Sequence, residues 1–164
     1  MSESAIFEFG SKVYCADAGC GELLQVVVEP ELPRLTGLVV CSIANGAVHL
    51  VPAELARPTR YGVLLECDRR AFEGLPPAVP DGRPRIRRGD HAHAVDGDAG
   101  RVLGLVVRVE DDAITHVVLL AGHVWHRKHV AMPVEYVAGL GFAGLDVLVL
   151  KDHVGEFATV DGGL

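Results

Sequence analysis

Seven of the eight histidines of this 164-residue chain fall in its second half: His91, His93, His116, His123, His126, His129 and His153, against His49 alone in the first. Three of them recur at every third position in Gly-His-Val-Trp-His-Arg-Lys-His-Val, as His123, His126 and His129. That spacing gathers side chains on a helix or turn and scatters them across both faces of a strand. His91 and His93 are two apart and share a strand face. Two such groups would complete a zinc set, so His91, His93, His123, His126 and His129 are the candidate metal ligands. The competing reading is a set of polar loop and strand-end histidines on an acidic protein. No cysteine or paired carboxylate has the spacing to add to a zinc set, and no metal or other cofactor is expected. Titration near neutrality offers a third role, a pH-sensitive contact.

Trp125, the only tryptophan, lies in the same stretch. An exposed tryptophan at a hairpin tip anchors interfaces; otherwise it caps its own core. Histidines, tryptophan and a local insertion coincide here, so His123, Trp125, His126, Arg127 and His129 form the candidate partner-binding site. The one dense basic run is Arg83-Pro-Arg-Ile-Arg-Arg88. Arg83, Arg85, Arg87 and Arg88 could grip phosphate or an acidic surface; the alternative is a solvated segment paired with nearby carboxylates. Cys15, Cys20, Cys41 and Cys67 match no zinc spacing and read as free, mostly buried thiols. Nucleophile-elbow, phosphate-loop and His-Glu-x-x-His patterns are lacking. Asp96-Gly-Asp98 begins like a calcium loop, but the later ligands are missing, so it reads as a turn. The chain is not expected to be an enzyme.

The elements that position these residues follow from an internal repeat. Residues 15–40 align without a gap on 94–119 at an offset of 79, and eight of the 26 pairs are identical: Asp17/Asp96, Gly21/Gly100, Leu24/Leu103, Val27/Val106, Val28/Val107, Glu31/Glu110, Thr36/Thr115 and Val39/Val118. Pro52 and Glu54 match Pro133 and Glu135 at 81. Val63, Leu64 and Asp68 match Val147, Leu148 and Asp152 at 84. Growth of the offset at turns is what duplicated domains tolerate. Between the copies, Glu73–Gly89 holds four prolines and three glycines in 17 positions, the composition of an extended linker. The domains are therefore 1–73 and 89–164, joined by a Pro/Arg-rich linker at 74–88.

Short Val/Ile/Leu runs bounded by Gly, Asp, Asn and Pro predict strands. In the first copy these are Lys12–Ala16, Glu22–Glu29, Leu35–Ser42, Ala47–Val51 and Tyr61–Cys67. In the second they are His91–Val95, Arg101–Glu110, Ile114–Ala121, Lys128–Met132 and Leu145–Lys151. One helical turn per copy is expected after Pro52 and Pro133, because proline suits a first helical position. Asp17–Gly21, Asp96–Gly100 and Asp111-Asp112 read as turns. Five or six curled strands per copy would bury their edges by closing into a small barrel.

The order of turn, long strand, second strand, hairpin and Pro-x-Glu turn resembles the PRC-barrel family. The resemblance rests on Val95-Asp96-Gly97-Asp98-Ala99-Gly100-Arg101-Val102-Leu103-Gly104 and Met132-Pro133-Val134-Glu135-Tyr136-Val137. The first copy departs from the pattern at Gln25, where the second has Gly104. The resemblance implies a mainly β protein of two tandem small PRC-type barrels. It also implies a role through protein contacts and carries over no catalytic residue. Family members include the barrel of the photosynthetic reaction centre H subunit and that of a ribosome-maturation factor.

A net charge of −7 and a pI near 5.5 argue against a general nucleic-acid binder. Twelve arginines against three lysines suit a GC-rich bacterial genome. Without an apolar run long enough for a leader or a membrane span, a cytoplasmic setting is expected, where thiols stay reduced. A mean hydropathy of +0.29 suggests apolar surface left for pairing or dimerisation. The expectation is a non-catalytic adaptor that binds a protein partner or a second copy of itself as a homodimer. A ribosome- or RNA-associated assembly factor and a histidine-dependent metal-binding protein are the alternatives.

Overall fold

In the computed structural model, the described residues are 3–29, 33–59, 61–79, 82–122, 127–139 and 144–159. The chain begins with β1 (Ser4–Glu8), β2 (Lys12–Tyr14), β3 (Gly19–Glu29), β4 (Arg34–Ser42), β5 (Val48–Pro52), β6 (Ala56–Thr59), β7 (Gly62–Leu65) and α1 (Arg69–Glu73). It continues with β8 (Arg85–Arg87), β9 (His91–Ala94), β10 (Gly97–Arg108), β11 (Ile114–Ala121), β12 (Lys128–Pro133), β13 (Val137–Gly139), β14 (Leu145–Val147) and α2 (Lys151–Val154). These strands form two curled sheets, so the fold is mainly β. Among the described residues no helix is long and apolar enough to cross a membrane.

All ten expected strands are present. The turns after Pro52 and Pro133 are single 3-10 turns, Ala53–Leu55 and Val134–Tyr136. Four short strands were not expected: β1, β6, β8 and β13. They bring each sheet to seven strands, above the expected five or six. The first sheet runs β5-β4-β3-β2-β7-β6 and the second β12-β11-β10-β9-β14-β13.

The two remaining strands are exchanged. β1 pairs antiparallel with β10 of the second sheet, and β8 with β3 of the first. The exchange is a pseudo-two-fold: Phe7 faces Leu105, and at the same offset of 79 Ile86 faces Val26. Within the segment read as a linker, Arg85–Arg87 thus form a ladder, and Pro76 O accepts from Leu50 N of β5. Each exchanged strand kinks at a glycine before joining its own half. Gly10 and Gly89 have φ of +90° and +83°, a region open to glycine at little cost. Their N–H groups bond Leu23 O and Val102 O, both at 2.8 Å. The axis passes between Arg34 and Ala113, where Leu35 N donates to Asp112 O and Ile114 N to Pro33 O, each at 2.8 Å. One continuous apolar core includes residues of both halves, with Phe7, Leu23, Ile86, Leu105 and Leu145 all buried.

The residues shared by the copies serve this frame. Thr36 and Thr115 hydroxyls donate to Val27 O and Val106 O. Asp17 and Asp96 carboxylates accept from Arg69 N and Lys151 N. At Gly21 and Gly100 a Cβ would lie 2.4 Å from the carbonyl oxygens of Cys41 and Leu120.

The alignment at offset 84 needs correction. Val13 faces Val63 and its counterpart Ala92 faces Leu145, so β7 matches β14 at 82. A slip of two residues keeps every side chain on the same face, which is why hydrophobic alternation does not expose it. The counterpart of Asp68, which caps α1 by accepting from Ala71 N at 2.8 Å, is Leu150, which offers α2 no side-chain cap. The expected strand Leu145–Lys151 ends at Val147 for the same reason: its last residue already opens α2.

Candidate functional site

The offset grows by two residues within the β11–β12 hairpin, where the sequence placed an insertion. His123, Trp125 and His126 lie outside the described residues. Arg127 directly precedes β12 and lines an open cleft of about 590 Å³ at this end of the second half. Asp98 and Arg101 of β10, Gly122, and Lys151 and Asp152 of α2 line it too. His129 sits in β12 opposite Leu120 and is half-buried.

His91 and His93 share a face of β9, as their spacing requires. Their rings stack with centroids 5.9 Å apart and planes 16° apart. His91 Nδ1 lies 3.4 Å from Asp98 Oδ2, and Asp98 Oδ1 also accepts from Gly100 N in the turn. The histidine pair therefore adjoins the cleft through a shared carboxylate. Among the described residues, no three His, Cys, Asp or Glu side chains stand in a metal-holding arrangement. His49, the first half's histidine, is buried edge-on against Phe72 with centroids 4.9 Å apart. Its Nδ1 is 3.0 Å from Leu75 O, and its Nε2 has no hydrogen-bond partner among the described residues.

Much of the arginine run is engaged within the fold. Arg85 donates to Val79 O, and Asp90 receives both the Arg87 N–H and, at 3.6 Å, its guanidinium. Arg88 reaches the kink at Gly10, where an added Cβ would lie 3.0 Å from its Nη1. Arg83 precedes β8 by two positions.

The cysteines are free, as expected. Cys15, Cys20 and Cys67 converge at one end of the first half, where the second has Ala94, Ala99 and Val149. Burial pushes the Cys15 thiol up to about 12, helped by the Cys20 side chain, and burial also raises Cys20 and Cys67. Buried protonated thiols are poor nucleophiles.

No family model matches the chain, and no curated protein does either. What the site can do is therefore read from its geometry. Sequence reasoning missed Asp98, Arg101, Lys151 and Asp152 as lining residues, because they come from two segments, β10 and α2, that are far apart in the chain. A signal existed in the repeat. The structurally equivalent positions in the first half are Gly19, Glu22, Arg69 and Arg70, so the charge changes at three of the four positions, and Lys151 and Arg69 stay basic, where the fold is shared. Mixed, exposed charges around an open cleft suit electrostatic recognition of a partner surface.

Proposed function

We propose that this chain is a non-catalytic adaptor of two PRC-type barrels, whose second half recognises a partner protein through the cleft beside the β11–β12 hairpin. The observation that carries this reading is the contrast between the halves. Shared polar residues hold turns and ladders, while Asp98, Arg101 and Asp152, whose counterparts Gly19, Glu22 and Arg70 carry different charges, converge on one cleft with Arg127 and Lys151. The free thiols support a reducing, cytoplasmic setting. The engaged arginines at Arg85 and Arg87 favour a protein partner over RNA.

The test is affinity purification from the native cell with the wild-type chain and an Arg101→Glu/Arg127→Glu variant, under matched folding checks. A partner retained by the wild type and lost from the variant is the expected result. An identical set of partners with both would refute the cleft as the recognition site. Light scattering of the same pair separates self-association, since a homodimer through this cleft would dissociate in the variant.

A further inference from the structure

Among the described residues, one edge of β1 is left without a paired strand. Val109 N donates to Glu3 O at 2.9 Å and Phe9 N to Leu103 O at 3.0 Å, so the odd-numbered residues of β1 turn their backbone groups toward β10. Ser4 and Ile6 therefore aim theirs the other way, where no described strand pairs with β1. Across from that edge stands β6, the terminal strand of the first sheet. A groove of about 680 Å³ runs between them. It is independent of the cleft in the second half and shares no residue with it.

Ala5, Phe7 and Val107 give the groove apolar lining, and Glu3, Glu54 and Asp112 give it carboxylates. Among the described lining residues the one arginine, Arg57, is ion-paired with Glu66. Burial raises the Asp112 carboxyl above the usual range. Arg34 opposes that rise, and the charges of Asp111 and Glu54 add to it. A cation entering here would meet the Asp112 carboxyl, with the side chains of Glu3 and Glu54 beside it. Unpaired backbone groups along a strand are a template for a further strand, with side-chain chemistry choosing the sequence.

We propose that this groove takes an extended, lysine- or arginine-bearing segment of a partner polypeptide, laid along β1 as an added strand. The outward N–H and C=O groups of Ser4 and Ile6 supply the ladder, and Glu3, Glu54 and Asp112 select the basic side chains.

The test uses the full chain and a capped hexapeptide of alternating valine and lysine, followed by amide NMR. The expected result is saturable binding that shifts the Ser4 and Ile6 amides, weakened by salt. The same peptide with glutamate for lysine should not bind. N-methylating alternate peptide nitrogens should abolish binding in one of the two possible patterns, because only one set faces β1. Glu54→Gln combined with Asp112→Asn should weaken binding about tenfold. The changes made to the peptide keep the test valid whatever the variant does to folding. Absence of binding, equal binding of the glutamate peptide, or indifference to both N-methylation patterns would overturn the proposal.

Discussion

Phe7→Ala should loosen the sheet of the second half, although Phe7 lies at the start of the first. Phe7 is 2 % exposed and sits on β1 opposite Leu105 of β10. Truncating a buried phenylalanine costs about 3–5 kcal/mol, the sum of lost transfer energy and the cavity left behind. With an unfolding slope on the order of 2 kcal/mol per molar urea, the midpoint should fall by roughly 1.5–2.5 M. The location of the damage is the sharper readout. The Leu105 and Val107 amides face β1, so native-state hydrogen exchange should lose protection there before it does in β2 and β7. Ile86→Ala is the mirror experiment, costing about 2–5 kcal/mol. Its damage should appear at Val26 and Val28, whose amides face β8. Exchange that rises first in residues 12–65 for Phe7→Ala, and in residues 91–147 for Ile86→Ala, would refute the strand exchange.

Gly100→Ala and Gly21→Ala should each lower the melting temperature by roughly 6–12 °C. A methyl 2.4 Å from a backbone carbonyl forces a shift worth about 3 kcal/mol in a chain of this size. Asp68→Ala should remove the α1 cap at about 1 kcal/mol, and Leu150→Asp should gain a similar amount by capping α2; chemical denaturation reads both. The Cys15 thiol, raised by burial to about 12, binds a proton in the fold that the unfolded chain releases above pH 9. Stability should therefore fall as pH rises from about 9 toward 12; Cys15→Ala should flatten that limb in urea midpoints taken across the range. Asp111, held near pH 2 chiefly by the Arg108 guanidinium, should titrate nearer the ordinary carboxylate range in Arg108→Ala, followed by carboxyl-carbon NMR.

The legible part of this fold is what local pattern controls. Ten strands show themselves by apolar runs between turn residues, and the facing of His91 and His93 follows from period two alone. The exchanged strands do not show themselves this way. β8 lies within Arg-Pro-Arg-Ile-Arg-Arg, where a single buried residue, Ile86, marks the inward face. β1 has one as well, Phe7. Three to five residues with one inward side chain carry too little alternation to declare a strand, and nothing local states which sheet a strand joins. Helices α1 and α2, of five and four residues, are shorter than any helical period can register. The charged cleft was hidden differently: its residues are ordinary one by one and meaningful only where β10, α2 and the segment before β12 meet.

The exchange also changes how the repeat should be weighed. Had each half closed on its own strands, every shared residue would report on one barrel. Here Phe7 and Ile86 pack into the opposite half, so the constraint on the first copy's opening strand comes from the second copy's core. The pairing through Arg34 and Ala113 ties the halves once more at the axis. Two units locked in this way hold fixed the relation between the second half's cleft and the groove beside β1. A partner engaging one of them therefore meets the other at a set distance, so two weak contacts on one partner would act at high effective concentration. Joint loss from Arg101→Glu with Ile6→Pro should then exceed the product of the single losses.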